Sequence, residues 1–308
     1  MILKKALKAK QLILASQIAL KRSEKNEDKL RRELSSYFKD IETQVQNLLQ
    51  EYGQSQTLLQ GQLNIILSPI KASHTEYYEI IKKHILQEYE LGTREGDRLV
   101  QLNNPEVIVS EIVNEIRRNN LFGTLQYTEE RLLTKTFTAS QRTLDRVDKN
   151  INQILTDGYK SGYGIDHVSR EINKRFEQLR TWESTRIART EIHGAHNEGV
   201  MKSYETLGVE YTQWVAHIDK RTRPSHGGRA KGKKGLLSGV SHGSVNGEII
   251  PFGGTYSNGL AYPGDTSGPI EEWINCRCSN APFVMPKGKM APPGMSQFRE
   301  TDLIRLTE

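Results

Sequence analysis

Cysteine is nearly absent from this chain: there are two in 308 residues, arranged as Cys276-x-Cys278. That excludes the disulfide framework of a small secreted domain and favours a reducing compartment. Aromatic residues are sparse at 7%, and no apolar run is long enough to span a membrane. The apolar stretch over residues 12–20 follows lysines, but Ser16 and Gln17 interrupt it and no small-residue cleavage site follows, so a signal peptide is not expected. Also missing are a G-x-S-x-G elbow, a phosphate-binding G-x-x-x-x-G-K-[ST] loop, an H-E-x-x-H pair and a dinucleotide fingerprint. No enzyme is expected on that ground, and no catalytic residue is assigned. Proline and glycine are scarce in one half only. Eight of ten prolines and 14 of 25 glycines lie after residue 220, and all three tryptophans lie after residue 180. The two halves must be built differently.

What is present suits a folded protein: 36% of residues are hydrophobic and 26% are charged. At roughly 100–200 residues per domain, the length fits two domains. The net charge of +6 comes from 43 basic and 37 acidic residues. It is concentrated in two places. Residues 1–20 carry Lys4, Lys5, Lys8 and Lys10 without an acid, and residues 220–234 carry Lys220, Arg221, Arg223, Arg229, Lys231, Lys233 and Lys234, again without one. Such clusters suit nucleic acid or another acidic surface, and equally a solvated face.

The first 157 residues read as helices. Leu3, Leu7, Leu14 and Ile18 stripe a basic helix, and Leu30, Leu34, Ile41, Val45, Leu48 and Tyr52 stripe a second. A third helix is expected over about 73–91, using Tyr77, Ile80, Ile81, His84, Ile85 and Tyr89. Asn104 as N-cap, Pro105 and Glu106 start a fourth, with Ile108, Ile112, Val113 and Ile116 inward. Leu133, Phe137, Ser140, Leu144, Val147, Ile151 and Ile154 mark one face of a long fifth helix ending at Gly158. After a glycine turn, Val168, Ile172, Phe176 and Leu179 give a short helix. Another runs from about Trp182 to Leu207. Strands are expected at 211–216 and 248–250 within a loop-rich region, followed by a flexible tail from residue 285.

Chemistry-bearing residues gather in the second half. On the helix ending at Leu207, Arg189, His193, His196 and Asn197 share one face, suited to an anion, a carbonyl or a metal, while Ala188, Ile192, Ala195 and Gly199 form a small-residue stripe suited to close packing. The run Asp219-Lys220-Arg221-Thr222-Arg223-Pro224-Ser225-His226 can hold a phosphate or lock a loop through ion pairs, the second being the safer reading. In an extended segment Cys276 and Cys278 face the same side. They can therefore share a zinc ion, with His226, His242 or Asp219 completing the set, or act simply as small buried hydrophobes. Asp219, His226 and the two cysteines would form the centre of a metal-assisted, nuclease-like hydrolase, the alternative to a structural protein, and a nuclease centre can also be assembled from Asp219, His226 and Glu191.

In order, the chain carries Ile187-Ala188-Arg189-Thr190-Glu191, Asn197-Glu198-Gly199, Gly208-Val209, Trp214, Asp219-x-Arg221-Thr222-Arg223-x-x-His226, Pro263-Gly264-Asp265 and Ile274-Asn275-Cys276-Arg277-Cys278. This succession resembles the phage Mu F-like, or phage head morphogenesis, domain over about residues 155–284. Arg189, Glu191, His193, Asn197, Asp219, Arg221, Arg223 and Asn275 fall on or beside its motif positions. Family members usually show a histidine or cysteine soon after the T-R pair. Here His226 is followed by a Gly- and Lys-rich stretch and His242 comes sixteen residues later, so either one fits that role.

The resemblance implies a minor head protein of a tailed bacteriophage, made in the host cytoplasm and carried in the virion near the portal vertex. It further implies binding to the portal protein, contact with packaged double-stranded DNA, scaffolding or major capsid protein as further partners, and no membrane. The expected architecture is α+β and predominantly helical. Residues 1–157 form a helical bundle or elongated arm that binds the partner, 158–284 the Mu F-like domain, and 285–308 the tail, with no appended enzymatic domain. The two basic clusters are the expected DNA contacts. Zinc is a possible cofactor.

Overall fold

A computed structural model of the chain describes residues 2–54, 58–104, 126–227 and 244–306. The helices are α1 (Ile2–Tyr52), α2 (Gln60–Ala72), α3 (His74–Asn103), α4 (Glu129–Lys160), α5 (Ile165–Gln178), α6 (Ser184–Thr206) and the single turn α7 (Ile270–Trp273). The strands are β1 (Tyr211–Val215), β2 (Ile249–Pro251), β3 (Ser279–Phe283), β4 (Lys289–Met290) and β5 (Ile304–Arg305). The architecture is predominantly helical α+β, as expected. None of the described helices is long and apolar enough to cross a membrane.

The chain divides into two compact units, and neither is continuous in sequence: Asn26–His84 with Glu130–Ala188, and Met1–Lys25 with Ile85–Glu129 and Arg189–Glu308. The boundary expected at residue 157 is not where the compact units separate. The reason is that α1, α3 and α6 each contribute residues to both.

The first unit is all helical. Leu30, Leu34, Phe38, Ile41, Val45 and Leu49 of α1 are buried, as are Ile66 and Ile70 of α2, Tyr77 and Ile81 of α3, and Val168, Ile172 and Phe176 of α5. Each such side chain contributes about 1.5–3 kcal/mol by leaving water. The two helices expected over residues 1–52 are one. The polar stretch between the stripes contains neither Gly nor Pro, and Asn26 is buried and satisfied, its Nδ2 donating to the His84 carbonyl at 3.2 Å and its Oδ1 lying 2.7 Å from His84 Nδ1. Helix α2 was not foreseen because Pro69 lies inside it. Pro69 cannot donate to the Ile65 carbonyl, and the Ser68 hydroxyl donates to it instead at 2.7 Å. On α4, Ser140, Leu144, Val147 and Ile151 are buried as expected. The ends of the face are rotated, however, so that Leu132, Thr136 and Leu155 are buried and Phe137 stays half exposed, edge-on to Tyr78 at 5.3 Å. The helix expected after Asn104 lies outside the described residues.

Between α5 and α6 the chain widens into a π-turn, Leu179–Glu183, which buries the Glu183 carboxylate. Arg146 lies 3.3 Å and Arg186 3.6 Å from it, and Arg175 is closer still. The carboxylate has given up water for three guanidinium partners, so removing it strands their charge.

In the second unit β1 is the centre of an antiparallel sheet of order β2-β1-β3, with Tyr211 opposite both Pro251 and Phe283 and Trp214 opposite Asn280. Beside it α3 and α6 cross at backbone contact. A Cβ at Gly92 would lie 2.0 Å from the His196 carbonyl oxygen, and one at Gly199 would lie 2.1 Å from that of Tyr89. These helices pin the strand: Asn197 Nδ2 donates to the Cys278 carbonyl at 3.0 Å, Tyr204 Oη to that of Asn280 at 3.2 Å, and Asn103 Nδ2 to that of Pro282 at 2.9 Å. The segment after Met285, expected as a flexible tail, docks here. Phe298 is buried, exchanges backbone hydrogen bonds with Ile249 at 2.7 and 2.9 Å, and is followed by Arg299, which donates to the Asn246 carbonyl at 2.6 Å. It is held because the other edge of β2 offers free backbone groups to pair with.

Replacing Glu183 by alanine is expected to lower unfolding stability by about 3–5 kcal/mol, because three arginines lose their buried counter-charge. Chemical denaturation of the variant against wild type measures it.

Candidate metal centre

Three potential metal ligands converge in the second unit. Helix α7 ends at Trp273, and two residues on Asn275 takes a left-handed conformation at φ 58° that asparagine tolerates well. The chain then runs extended into β3, so Cys276 and Cys278 face one side and Arg277 the other. Opposite the sulfurs lies a short 3₁₀ turn, Pro224–His226. His226 Nδ1 is 3.7 Å from Cys276 Sγ and 3.4 Å from Cys278 Sγ, and the three ligand atoms all lie within 4.8 Å of one another. All three residues are buried, within an apolar cluster of Trp214, Val245, Ile250, Tyr256 and Leu260. The Trp214 ring meets the imidazole edge-on, with centroids 5.1 Å apart.

The other imidazole nitrogen is held from behind. His226 Nε2 lies 2.8 Å from Glu272 Oε2, and the Ser225 hydroxyl donates to that same oxygen at 3.0 Å. Glu272 was not among the residues singled out in the sequence. Its only signal there is a place in the acidic pair before Trp273, with no diagnostic spacing.

The two thiols titrate as a pair. Cys276 is pushed well above the usual thiol range by its hydrogen bond to Cys278 and by burial. For Cys278 burial acts in the same direction, but the hydrogen bonds from Cys276 and His226 outweigh it and take this thiol well below that range. Sulfur in either form is a soft donor of the kind a transition metal takes.

The motif residues around this cluster are tied into the fold. Arg277, facing away from the sulfurs, donates to Asp219 Oδ2 at 2.5 Å, and Asp219 Oδ1 accepts the Arg221 amide at 2.7 Å. Burial opposes the ionised Asp219 carboxylate, yet the hydrogen bonds from Arg277 and the Arg221 amide, with the charge of both arginines, hold it well below the usual carboxylate range. Thr222 Oγ1 accepts the Asp219 amide and donates to the His217 carbonyl, and Arg223 donates to the Ile274 carbonyl. This is the loop-locking network, and it occupies Asp219, which takes no part in the donor cluster with His226.

On α6, Asn197 also accepts its place from its own helix, donating to the His193 carbonyl, and Glu198 Oε2 accepts the Tyr262 hydroxyl at 3.2 Å. His193 is buried, and His196 Nδ1 sits 2.9 Å from the buried Glu88 carboxylate. Arg189 and Glu191 are half-buried on the same helix, and Thr190 Oγ1 accepts the Asn275 amide at 3.1 Å. In the Pro263-Gly264-Asp265 turn, Gly264 at φ +89° brings its Cβ position to 2.9 Å from the Gly194 Cα, while Asp265 caps the Ala261 and Ser267 amides.

Residues 149–281 match the family described as Phage Mu protein F like protein. The match covers less than half of the chain, and this segment is similar to that family. No curated protein and no solved structure matches the chain. The motif positions that carry the resemblance are thus the ones that interlock α6, β3 and the loops of this segment.

The basic candidates divide. Lys220 and Arg221 are exposed, with Arg221 paired to Asp219 at 3.3 Å, whereas Arg223 is half-buried and committed to a carbonyl. Arg229, Lys231, Lys233, Lys234 and His242 lie outside the described residues. Lys4, Lys5, Lys8 and Lys10 belong to the first turns of α1.

Replacing Asp219 by asparagine removes a charge-assisted bond to Arg277 and is expected to cost about 1–2 kcal/mol at pH 7. Because the folded carboxylate titrates below the unfolded one, its contribution is complete above the ordinary aspartate range near pH 4 and is lost as pH falls below it. The gap between variant and wild type, followed by thermal unfolding, should therefore close under acid.

Proposed function

We propose that this chain is a minor head protein of a tailed phage that binds the portal protein and contacts packaged double-stranded DNA without reading its sequence. The observation that carries this reading is the Mu F-like match over residues 149–281, since that family is one of phage head morphogenesis and places its members in the virion. The finer assignments rest on the chain's own chemistry. Long helices with apolar stripes offer a surface of the kind laid into a groove on a partner protein, and the lysines at residues 4–10 and the basic run at 220–234, apart from Arg221 and Arg223, suit phosphate. A position near the portal vertex follows from the same reading. Scaffolding and major capsid proteins are further partners of the same class.

The test is co-expression of the full-length chain with the portal protein of the same genome, followed by co-purification over rising salt. A packed interface is expected to survive about 1 M salt, where charges farther apart than about 3 Å are screened. Loss of the complex at low salt, or no complex at all, would contradict portal binding. Binding of the same preparation to unrelated duplexes is expected to weaken steeply between about 50 and 200 mM salt and to be equal for all sequences. A flat salt response would remove the DNA contact.

A further inference from the structure

Two sulfurs and one imidazole nitrogen meeting in an apolar core call for a physical reason. A thiol–imidazole hydrogen bond explains one sulfur near Nδ1, because a neutral ring nitrogen has one lone pair or one proton to share. The Cys276–Cys278 hydrogen bond brings the second sulfur to the first, but it does not require both to sit at similar distances from the same nitrogen. In a tetrahedral zinc site with Zn–S of about 2.3 Å and Zn–N of about 2.0–2.1 Å, the S···N edge is about 3.6 Å. The observed separations of 3.4 and 3.7 Å fall on either side of that value. The ring is also set as a ligand should be. Glu272 engages Nε2 at 2.8 Å and is itself braced by Ser225, which leaves Nδ1 as the nitrogen directed at the sulfurs. A carboxylate behind a ligating histidine is the usual support in zinc centres, fixing the ring and raising its basicity.

We propose that Cys276, Cys278 and His226 hold a zinc ion as three of its four ligands, with Glu272 as the residue that positions His226. The metal takes the place of the protons these atoms otherwise share, so binding releases protons and weakens as pH falls. Its role is structural. It joins the 3₁₀ turn at Pro224–His226 to the segment entering β3, two parts of the chain separated by 50 residues between His226 and Cys276. The surrounding Trp214, Tyr256 and Leu260 keep the site within the domain core. This inference does not depend on portal or DNA binding, and it can fail while that reading stands.

The experiment uses the full-length chain purified without a metal-affinity tag under reducing conditions. Elemental analysis should find one zinc per chain, and replacing zinc by Co²⁺ should give thiolate-to-cobalt charge-transfer absorption together with the intense visible bands of a tetrahedral site. Cys276→Ser, Cys278→Ser and His226→Ala should each abolish stoichiometric zinc. Because these variants can lose the fold with the metal, Glu272→Gln is the second test. It leaves all three ligands in place and should weaken zinc affinity about 10–100-fold while the cobalt spectrum persists. A folded wild-type chain that stays metal-free when zinc is supplied would overturn the proposal, as would the mass loss of a Cys276–Cys278 disulfide in the native protein. Full zinc retention by Cys278→Ser would do the same.

Discussion

Everything around the candidate site depends on how closely α3 and α6 cross. Two helices normally keep their axes 8–10 Å apart because side chains stand between them. Here Gly92 and Gly199 remove those side chains at the crossing, and the backbone of each helix lies where the other's Cβ would be. From that fixed pair, Asn103 on α3 and Asn197 and Tyr204 on α6 reach successive carbonyls along β3. Strand β3 cannot slide, and its position sets that of the Cys276-Arg277-Cys278 segment leading into it. With Arg277 pointing the other way and held by Asp219, the cysteines face His226. A short chain of contacts therefore runs from two glycines to two sulfurs.

The motif positions that resemble the Mu F-like family have physical work in the fold before any partner is considered. Asn197 holds a strand carbonyl, Glu198 a tyrosine hydroxyl, Gly199 a helix crossing, Gly264 a backbone approach to Gly194, and Asn275 a left-handed turn. None of these tasks tolerates a generic substitute. Asn197 needs a short amide with its donor at the right reach, and Gly264 sits at a positive φ with no room for a Cβ. The loop from Asp219 to His226 is fixed by the same logic, through capped amides and arginines that end on carboxylate or carbonyl oxygens.

Much of this was legible in the sequence, and the failures have identifiable causes. The small stripe on α6 announced close packing, the 211–216 segment announced a strand that the fold forms over Tyr211–Val215, and the Cys-x-Cys spacing with a nearby histidine announced the donor cluster. The single long α1 was hidden because polar residues at its middle, such as Asn26, read as a break when in fact they are buried and bonded to residues far away in sequence. The rotated face of α4 was hidden because Leu132 and Leu133 are equivalent to a periodicity count, and only the packing chooses between them. Pro69 concealed α2, since the serine hydroxyl that compensates for the missing donor is not a pattern that spacing reveals. Glu272 left no trace for the same reason: its role exists only once α7 and the 224–226 turn are brought together. The docking of Phe298 on β2 likewise depends on a strand edge that no local signal marks.

The measurement that bears most directly on this architecture is native-state hydrogen exchange of the full-length chain, comparing wild type with Gly199→Ala. A methyl group at that crossing should force α3 and α6 apart and lower protection together in residues 85–103, residues 189–206 and strand β3, although β3 is 80 or more residues away in sequence from position 199. Loss of protection confined to the turn of α6 around residue 199, with β3 as slow to exchange as in wild type, would show that the strand and its cysteines do not depend on the crossing.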